Sequence, residues 1–281
     1  MSKVIIGIHG RSKKPAKDIL SNWWQNSIEE GLRHSTTANL GAVNFEMAYY
    51  ADTHYGNKIS TPDNDDEPYV PANEGIKPYE VGITDHFRGI VGNWLDEPMD
   101  WLEEHSHLFS TLGRNVSKIV MEDLHNYYSN ALKRKEVNDR LMSLLLDHRN
   151  DEIILLSHSM GTIVAYEVLR ELGRTTEHPV VAVEHFITMG SPLGLTVVKG
   201  NALGSHMRLR TPSCVKNSWV NFSDPGDFVC LDAHLADDYP ANSSGIKVRD
   251  VLVCNDYPDN QHKSYGYLRT PEFSKHLASI L

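Results

Sequence analysis

Between Asp151 and Leu172 the chain passes from a continuous apolar run, Ile153-Ile154-Leu155-Leu156, through Ser157-His158-Ser159-Met160-Gly161, into a segment with helically spaced apolar residues. An apolar run without polar alternation belongs to a strand covered on both faces, as in parallel sheets flanked by helices. Few residues remain for the reversal into the helix. Ser159 therefore falls at the tip of a sharp strand-to-helix turn in a strained conformation, which needs the small neighbours Ser157 and Gly161 on either side.

That strand has partners. Val4 to Ile8, Val43 to Tyr50, Val183 to Met189, Ser218 to Phe222 and Val248 to Cys254 join Glu152 to Leu156 as predicted strands. Apolar residues at three- and four-residue spacing from Val116 to Leu146 predict one long helix, or two with a break near Lys133 to Lys135. Further helices are expected over Thr162 to Leu172, with Gly173 at C′, and over Pro271 to Leu281, with Thr270 as N-cap and Pro271 at the first helical position. The alternation predicts an α/β fold: a mostly parallel sheet of about six or more strands flanked by helices. A length of 281 residues suits a single domain, 1–281, carrying an insertion.

The insertion is read over residues 52–109. Asp52 to Glu80, with Thr61-Pro62-Asp63-Asn64-Asp65-Asp66-Glu67-Pro68, is too polar and turn-rich to supply a core segment and is expected as a long loop. Asp85 to Phe109 differs, because Phe87, Ile90, Val91, Trp94, Leu95, Met99, Trp101 and Leu102 form an aromatic-rich amphipathic pattern. It reads either as a lid or cap over a pocket or as an ordinary core helix.

A net charge of −10, with 27 basic residues scattered along the chain, argues against a nucleic-acid partner, which calls for clustered Lys and Arg. Three cysteines, Cys214, Cys230 and Cys254, allow at most one bridge, so no disulfide scaffold is expected and a reducing compartment is compatible. Val4 to Ile8 starts too early and stops too soon for a signal peptide or a membrane span. A cytoplasmic protein without stable membrane insertion is the expectation. His105-Ser106-His107 lacks carboxylates or cysteines at ligand spacing and reads as a polar helix end, so neither metal nor organic cofactor is expected.

In its strand-turn-helix setting, Ser157 to Gly161 resembles the nucleophile elbow of the α/β-hydrolase family in its lipase and esterase branch. The family motif is Gly-x-Ser-x-Gly, and Ser157 stands here in place of the first glycine. The resemblance implies Ser159 as nucleophile, then an acid after a later strand, then a histidine after the last one. Asp227-Phe228-Val229 resembles the Asp-x-Val segment that carries the acid in many lipases. Asp224 is the reserve, since it opens an Asp-Pro-Gly turn in which its side chain can cap amides.

His262-Lys263-Ser264-Tyr265 resembles the His-x-Ser-Tyr segment around the base, whereas His234 precedes the last strand and His276 falls in the last helix. The resemblance also implies an oxyanion hole made by the backbone amides of Met160 and Arg11, because His9-Gly10-Arg11 resembles the family's His-Gly-x segment. Ser12 could substitute for Arg11, and His9 reads as the residue that holds the loop. Gly190-Ser191-Pro192-Leu193-Gly194 resembles a signature of lipase-like relatives that would line the pocket. The implied activity is hydrolysis of a small-molecule or lipid carboxylic ester through an acyl-enzyme on Ser159, without a cofactor. A thioesterase or acyltransferase with the same triad, or a non-catalytic binding protein that keeps the elbow, are the alternatives.

Overall fold

The apolar runs pair side by side. In a computed structural model, which describes residues 2–11, 14–55, 68–72, 76–80, 124–174, 177–201, 209–230, 233–258 and 260–281, the strands are β1 (Lys3–Ile8), β2 (Asn44–Ala48), β3 (Glu152–His158), β4 (Val183–Met189), β5 (Val215–Ser223) and β6 (Val248–Leu252). They form one sheet in the order β2-β1-β3-β4-β5-β6, and each neighbouring pair is parallel. The helices used below are α1 (Lys17–Ser35), α2 (Ala51–Tyr55), α3 (Ala131–Asp147), α4 (Met160–Leu172), α5 (Thr196–Asn201), α6 (Ser264–Arg269) and α7 (Pro271–Ile280).

Strand periodicity sends alternate side chains to opposite faces. Val4, Ile6 and Ile8 of β1 pack with Val137 and Leu141 of α3 and with Ile163 and Val164 of α4. Ile5 points the other way, into a core shared with Leu20, Trp24 and Ile28 of α1 and Phe273 and Leu277 of α7. Helices thus cover both faces, which explains why these strands read as unbroken apolar runs. The strand order also reverses beside β1: the chain leaves β1 for β2 on one side, and β3 lies on the other. Crevices at such reversals, beyond the carboxyl ends of the strands, are where parallel α/β sheets bind ligands.

Several boundaries differ from expectation. The helical break after Val116 falls at Asn130, not at Lys133 to Lys135, because the Asn130 side chain caps α3 by accepting the Lys133 N–H at 3.0 Å. Gly173 ends α4 as the C-cap itself with a right-handed φ of −77°, so it is not a left-handed C′ residue. Thr270 occupies the N-cap position of α7, but its hydroxyl donates to the Tyr267 carbonyl at 3.0 Å and caps no amide of that helix. Residues 51–55 form a helical turn where a loop was expected to begin, and Asp85 to Phe109, read as a cap or a core helix, lies outside the described residues, as does His105-Ser106-His107. All three cysteines are free thiols. Among the described residues no helix is long and apolar enough to cross a membrane.

Helix α1 escapes the sequence pattern because its buried face is not purely apolar. Ser27, Glu30 and Gly31 are buried alongside Leu20, Trp24, Ile28 and Leu32. Gly31 admits the α6–α7 corner so closely that a Cβ there would lie 2.6 Å from Arg269 Cα. Ser27 donates to the Tyr265 carbonyl at 2.5 Å. Glu30 meets Arg269, whose Nη1 donates to Glu30 Oε2 at 3.1 Å and to the Val70 carbonyl at 2.6 Å, while Nε donates to Asp256 Oδ1 at 2.7 Å. Glu30 also accepts Tyr69 Oη–H at 3.2 Å and the Ala72 N–H at 2.9 Å.

Removing one partner of a buried ion pair strands the other, so Glu30→Ala should lower unfolding free energy in urea by about 3 kcal/mol. A change under about 0.5 kcal/mol would show that Asp256 alone satisfies Arg269.

At the opposite edge His148 bridges Asp151 Oδ2 at 2.8 Å and Glu46 Oε1 at 2.9 Å. Burial opposes its charge, but the hydrogen bonds to Asp151 and Glu46 and the pull of their charges prevail and raise its pKa. A raised folded-state pKa contributes stability that is fully present below the unfolded value, about 6.5, and is lost as pH climbs through the folded one. His148→Ala should therefore lower Tm more at pH 5.5 than at pH 8.5, as scanning calorimetry would read; equal losses at both would refute the linkage.

Candidate active site

The turn after β3 is a single residue. Strand β3 runs to His158, two residues beyond the predicted end, and α4 begins at Met160, leaving Ser159 between them with φ 54° and ψ −130°. Among the described residues it is the non-glycine with positive φ. Such a conformation costs of order 1–3 kcal/mol and persists only where its surroundings over-determine it. Here they do.

The Ser159 N–H donates to the Met189 carbonyl at 3.0 Å, and its carbonyl accepts both the Thr162 N–H at 2.9 Å and the Thr162 hydroxyl at 2.7 Å. Ser157 Oγ ties the strand end to the Ile187 carbonyl at 2.8 Å. Gly161 is required for contact with β1, since a Cβ there would lie 2.5 Å from the His9 carbonyl oxygen.

Side chains from three separate loops meet at Ser159. Its Oγ lies 2.7 Å from His262 Nε2, and His262 Nδ1 lies 2.8 Å from Asp227 Oδ2. A carboxylate can only accept, so Nδ1 carries the imidazole proton and the bare Nε2 faces the hydroxyl. Asp227 is buried and takes further donors: the Val229 N–H on Oδ1 at 2.8 Å and the Tyr267 phenol on Oδ2 at 2.7 Å. The two loop carboxylates thus have different work. Asp224 is turned away from His262 and caps the Gly226 N–H with one oxygen and the Asn255 N–H, at 2.5 Å, with the other.

Three residues that sequence reasoning left without a role, and Gly190, which was expected only to line the pocket, shape this geometry. Asn255 Nδ2 donates to the carbonyls of Gln261 and Lys263 at 2.7 and 2.9 Å, clamping the backbone on both sides of His262. His158 Nε2 lies 2.7 Å from the His262 carbonyl and donates to it. Burial, then the nearby His262, holds the His158 pKa well below the usual imidazole value, so the ring stays neutral. Gly190, with φ 53°, leaves room for Asp227 and His262: a Cβ there would sit 2.9 Å from Asp227 Oδ2 and 3.2 Å from His262 Cε1. Tyr267 is the fourth. Only Gly190 had a signal in sequence, as the first residue of the Gly190 to Gly194 segment.

The predicted oxyanion donors lie at the same place. Met160 is the first residue of α4, where helical amides lack intrahelical partners and the helix dipole is positive. Gly10 packs against Ser159, since a Cβ on it would be 2.7 Å from Ser159 Cβ and 3.2 Å from Oγ. Arg11 follows it directly; Ser12 lies outside the described residues.

His9 fixes the loop. Its Nε2 accepts the Tyr50 N–H at 3.1 Å, which leaves the proton on Nδ1 to donate to the Gly10 carbonyl at 2.6 Å. Because a trans peptide opposes its C=O and N–H, pinning the Gly10 carbonyl also sets the direction of the Arg11 amide. Among the described residues no three His, Cys, Asp or Glu side chains gather as a metal site.

Residues 118–199, which include β3, the turn, α4 and β4, match the model of a family described as alpha/beta hydrolase of unknown function (DUF900). No curated protein sequence matches the chain. Among solved structures the chain is similar to the RedJ thioesterase from the prodiginine biosynthetic pathway in Streptomyces coelicolor, with 15% identity over 99% of this chain and 90% of that chain and a TM-score of 0.33.

Glycine adopts the Ser159 backbone conformation without a Cβ penalty, whereas alanine keeps the penalty and likewise removes the hydroxyl. Ser159→Gly should thus be more stable than Ser159→Ala by about 1 kcal/mol in urea unfolding. Equal stability would mean that the turn stores no strain.

Proposed function

We propose that this chain, which matches an alpha/beta hydrolase family over residues 118–199 and has a parallel sheet flanked by helices, cleaves carboxylic esters by acyl transfer through Ser159. The observation that carries the reading is the continuous line from Ser159 Oγ through the His262 imidazole to Asp227 Oδ2, each link within hydrogen-bonding distance. A serine hydroxyl alone is a poor nucleophile, and an aligned base with an orienting acid is what activates it.

In the reaction Ser159 Oγ attacks the ester carbonyl carbon as its proton passes to His262 Nε2. The imidazolium formed is stabilised by Asp227, which also holds the ring in the tautomer that leaves Nε2 free at the start. The amides of Met160 and Arg11 take the charge that develops on the carbonyl oxygen; each such donor is worth about 3 kcal/mol in the transition state. Collapse of the tetrahedral intermediate breaks the bond to the alcohol, which leaves with the proton from Nε2. Water, deprotonated by the same imidazole, then attacks the acyl-enzyme and releases the acid.

A thioester would follow the same course with a thiol leaving group, and a choice of ester or thioester substrates separates the two. Localisation is expected to be cytoplasmic, and the segment 85–109 is proposed as the wall or lid that selects the acyl group.

A fluorophosphonate probe should add one covalent adduct, mapped by mass spectrometry to Ser159 and absent from Ser159→Ala. Asp227→Asn should slow labelling by about 10³-fold or more, because the amide favours the wrong imidazole tautomer. Asp224→Asn, by contrast, should mainly lower stability. Absence of an adduct on the folded wild-type chain, with and without detergent, would overturn the hydrolase mechanism in favour of a non-catalytic binding protein.

A further inference from the structure

Tyr267 is fully buried in α6, and its hydroxyl makes a contact that the triad scheme alone does not require. The Asp224 N–H donates to Tyr267 Oη at 3.0 Å, which leaves the phenol's own proton to be given to Asp227 Oδ2 at 2.7 Å. That oxygen is the one already accepting His262 Nδ1–H at 2.8 Å. We propose that Tyr267 is a positioning residue of the triad, whose hydroxyl shares Asp227 Oδ2 with the His262 imidazole and so limits how strongly the acid draws on the base.

The physical argument is a division of charge. A hydrogen bond to the charged form of a carboxylate stabilises that form and makes it less basic. A second donor on the same oxygen therefore weakens the first, and Tyr267 restrains the His262–Asp227 bond instead of reinforcing it. The phenol keeps its proton for this task, because burial and then the charge of Asp227 raise its pKa well above the usual value. The same hydroxyl anchors the 224–227 turn through the Asp224 amide, so orientation and charge are set together.

Among the described residues, other titratable groups also lie around this cluster. Cys230 Sγ lies 3.6 Å from Tyr267 Oη, and burial, then Asp227, pushes its thiol pKa up, so it stays protonated. Asp224 has both oxygens engaged by backbone amides. The His158 ring sits 4.8 Å from that of His262 and 6.0 Å from that of Tyr267, and is neutral. Lys263 holds its ammonium 5.5 Å from the Tyr265 ring centroid and 5.9 Å from that of Tyr257, and the Lys14 charge acts on His158. Among the described residues, His262 and Tyr267 donate to Asp227 Oδ2, and the Cys230 thiol adds a weaker hydrogen bond to the same carboxylate.

The catalytic consequence rests on the triad reading above, but the shared oxygen does not, and two measurements keep them apart. Histidine-labelled NMR of the full chain should show the His262 Nδ1 proton resonance moving downfield in Tyr267→Phe, and upfield in Tyr267→3-fluorotyrosine, whose more acidic phenol is the stronger donor. The rate of fluorophosphonate labelling should change in step. The low-pH half-point of its profile should rise in the Phe variant by about half a pH unit, a threefold loss of rate on that limb, and should fall in the fluorinated one.

A tyrosine that only fills space would alter stability or the plateau rate and leave both resonance and half-point in place, and that result, or shifts of one sign in both variants, would overturn the proposal. If the Phe variant fails to fold, the fluorinated variant, which keeps the shape, decides alone. Failure of the wild type to label would sink the triad reading, and the resonance shifts would still decide the role of Tyr267.

Discussion

A reversal of the chain within one residue, from β3 into α4, is the constraint on which the rest of the site depends. It holds Ser159 at a φ of 54° and brings the start of α4 against the end of β1, where Gly161 meets the carbonyls of Ile8 and His9. The backbone bonds from Ser159 to Met189 and from Thr162 back to Ser159 oppose the strain. With the hydroxyl raised above the strand ends, the loop after β1 passes close enough that Gly10 could not carry a side chain. The position of the strand-order reversal and the steric needs of the turn thus select the same corner of the sheet.

Two aspartates three residues apart in one loop do opposite jobs, and hydrogen bonding decides which does which. Asp224 spends both oxygens on backbone amides, one of which belongs to Asn255, and Asn255 in turn clamps the carbonyls beside His262. Asp227 points at the imidazole itself. Asp224 therefore fixes the place of the base, and Asp227 fixes its tautomer. The turn chemistry that marked Asp224 as a capping residue in the sequence is what the geometry contains.

What was legible in sequence was local. The six strands read correctly to within a few residues; in β1 and β3 burial on both faces leaves an apolar run that needs no knowledge of the neighbours, whereas the edge strands β2 and β6 are only partly buried. The elbow was legible because its demands fall on adjacent residues. Helix α1 was not, since Ser27, Glu30 and Gly31 are buried for the sake of Tyr265, Arg269 and the α6–α7 corner, more than two hundred residues away in the chain. Asn255, Tyr267 and His158 were missed for the same reason: an amide, a phenol and an imidazole acquire roles only when distant loops fold against them. Residues 85–109, read as either a cap or a core helix, lie outside the described residues.

The segment from 255 to 270 joins the site to the rest of the fold by pointing neighbouring residues in different directions. From one short helix, Tyr267 reaches inward to Asp227, while Arg269 turns to Glu30 of α1 and to the Val70 carbonyl. Tyr257 Oη, on the other side of His262, donates to the Pro68 carbonyl at 2.7 Å. His262 is thereby bracketed by two contacts to residues 68–70, made by Tyr257 and Arg269. A buried ion pair contributes little net stability against an apolar substitute but penalises the loss of either partner, so its value here is in the fixed position it imposes. Holding the imidazole within about half an ångström of its partners is what preorganised catalysis demands. The Arg269–Glu30–Asp256 cluster serves that end from outside the site, as the Tyr267–Asp227 contact does from within.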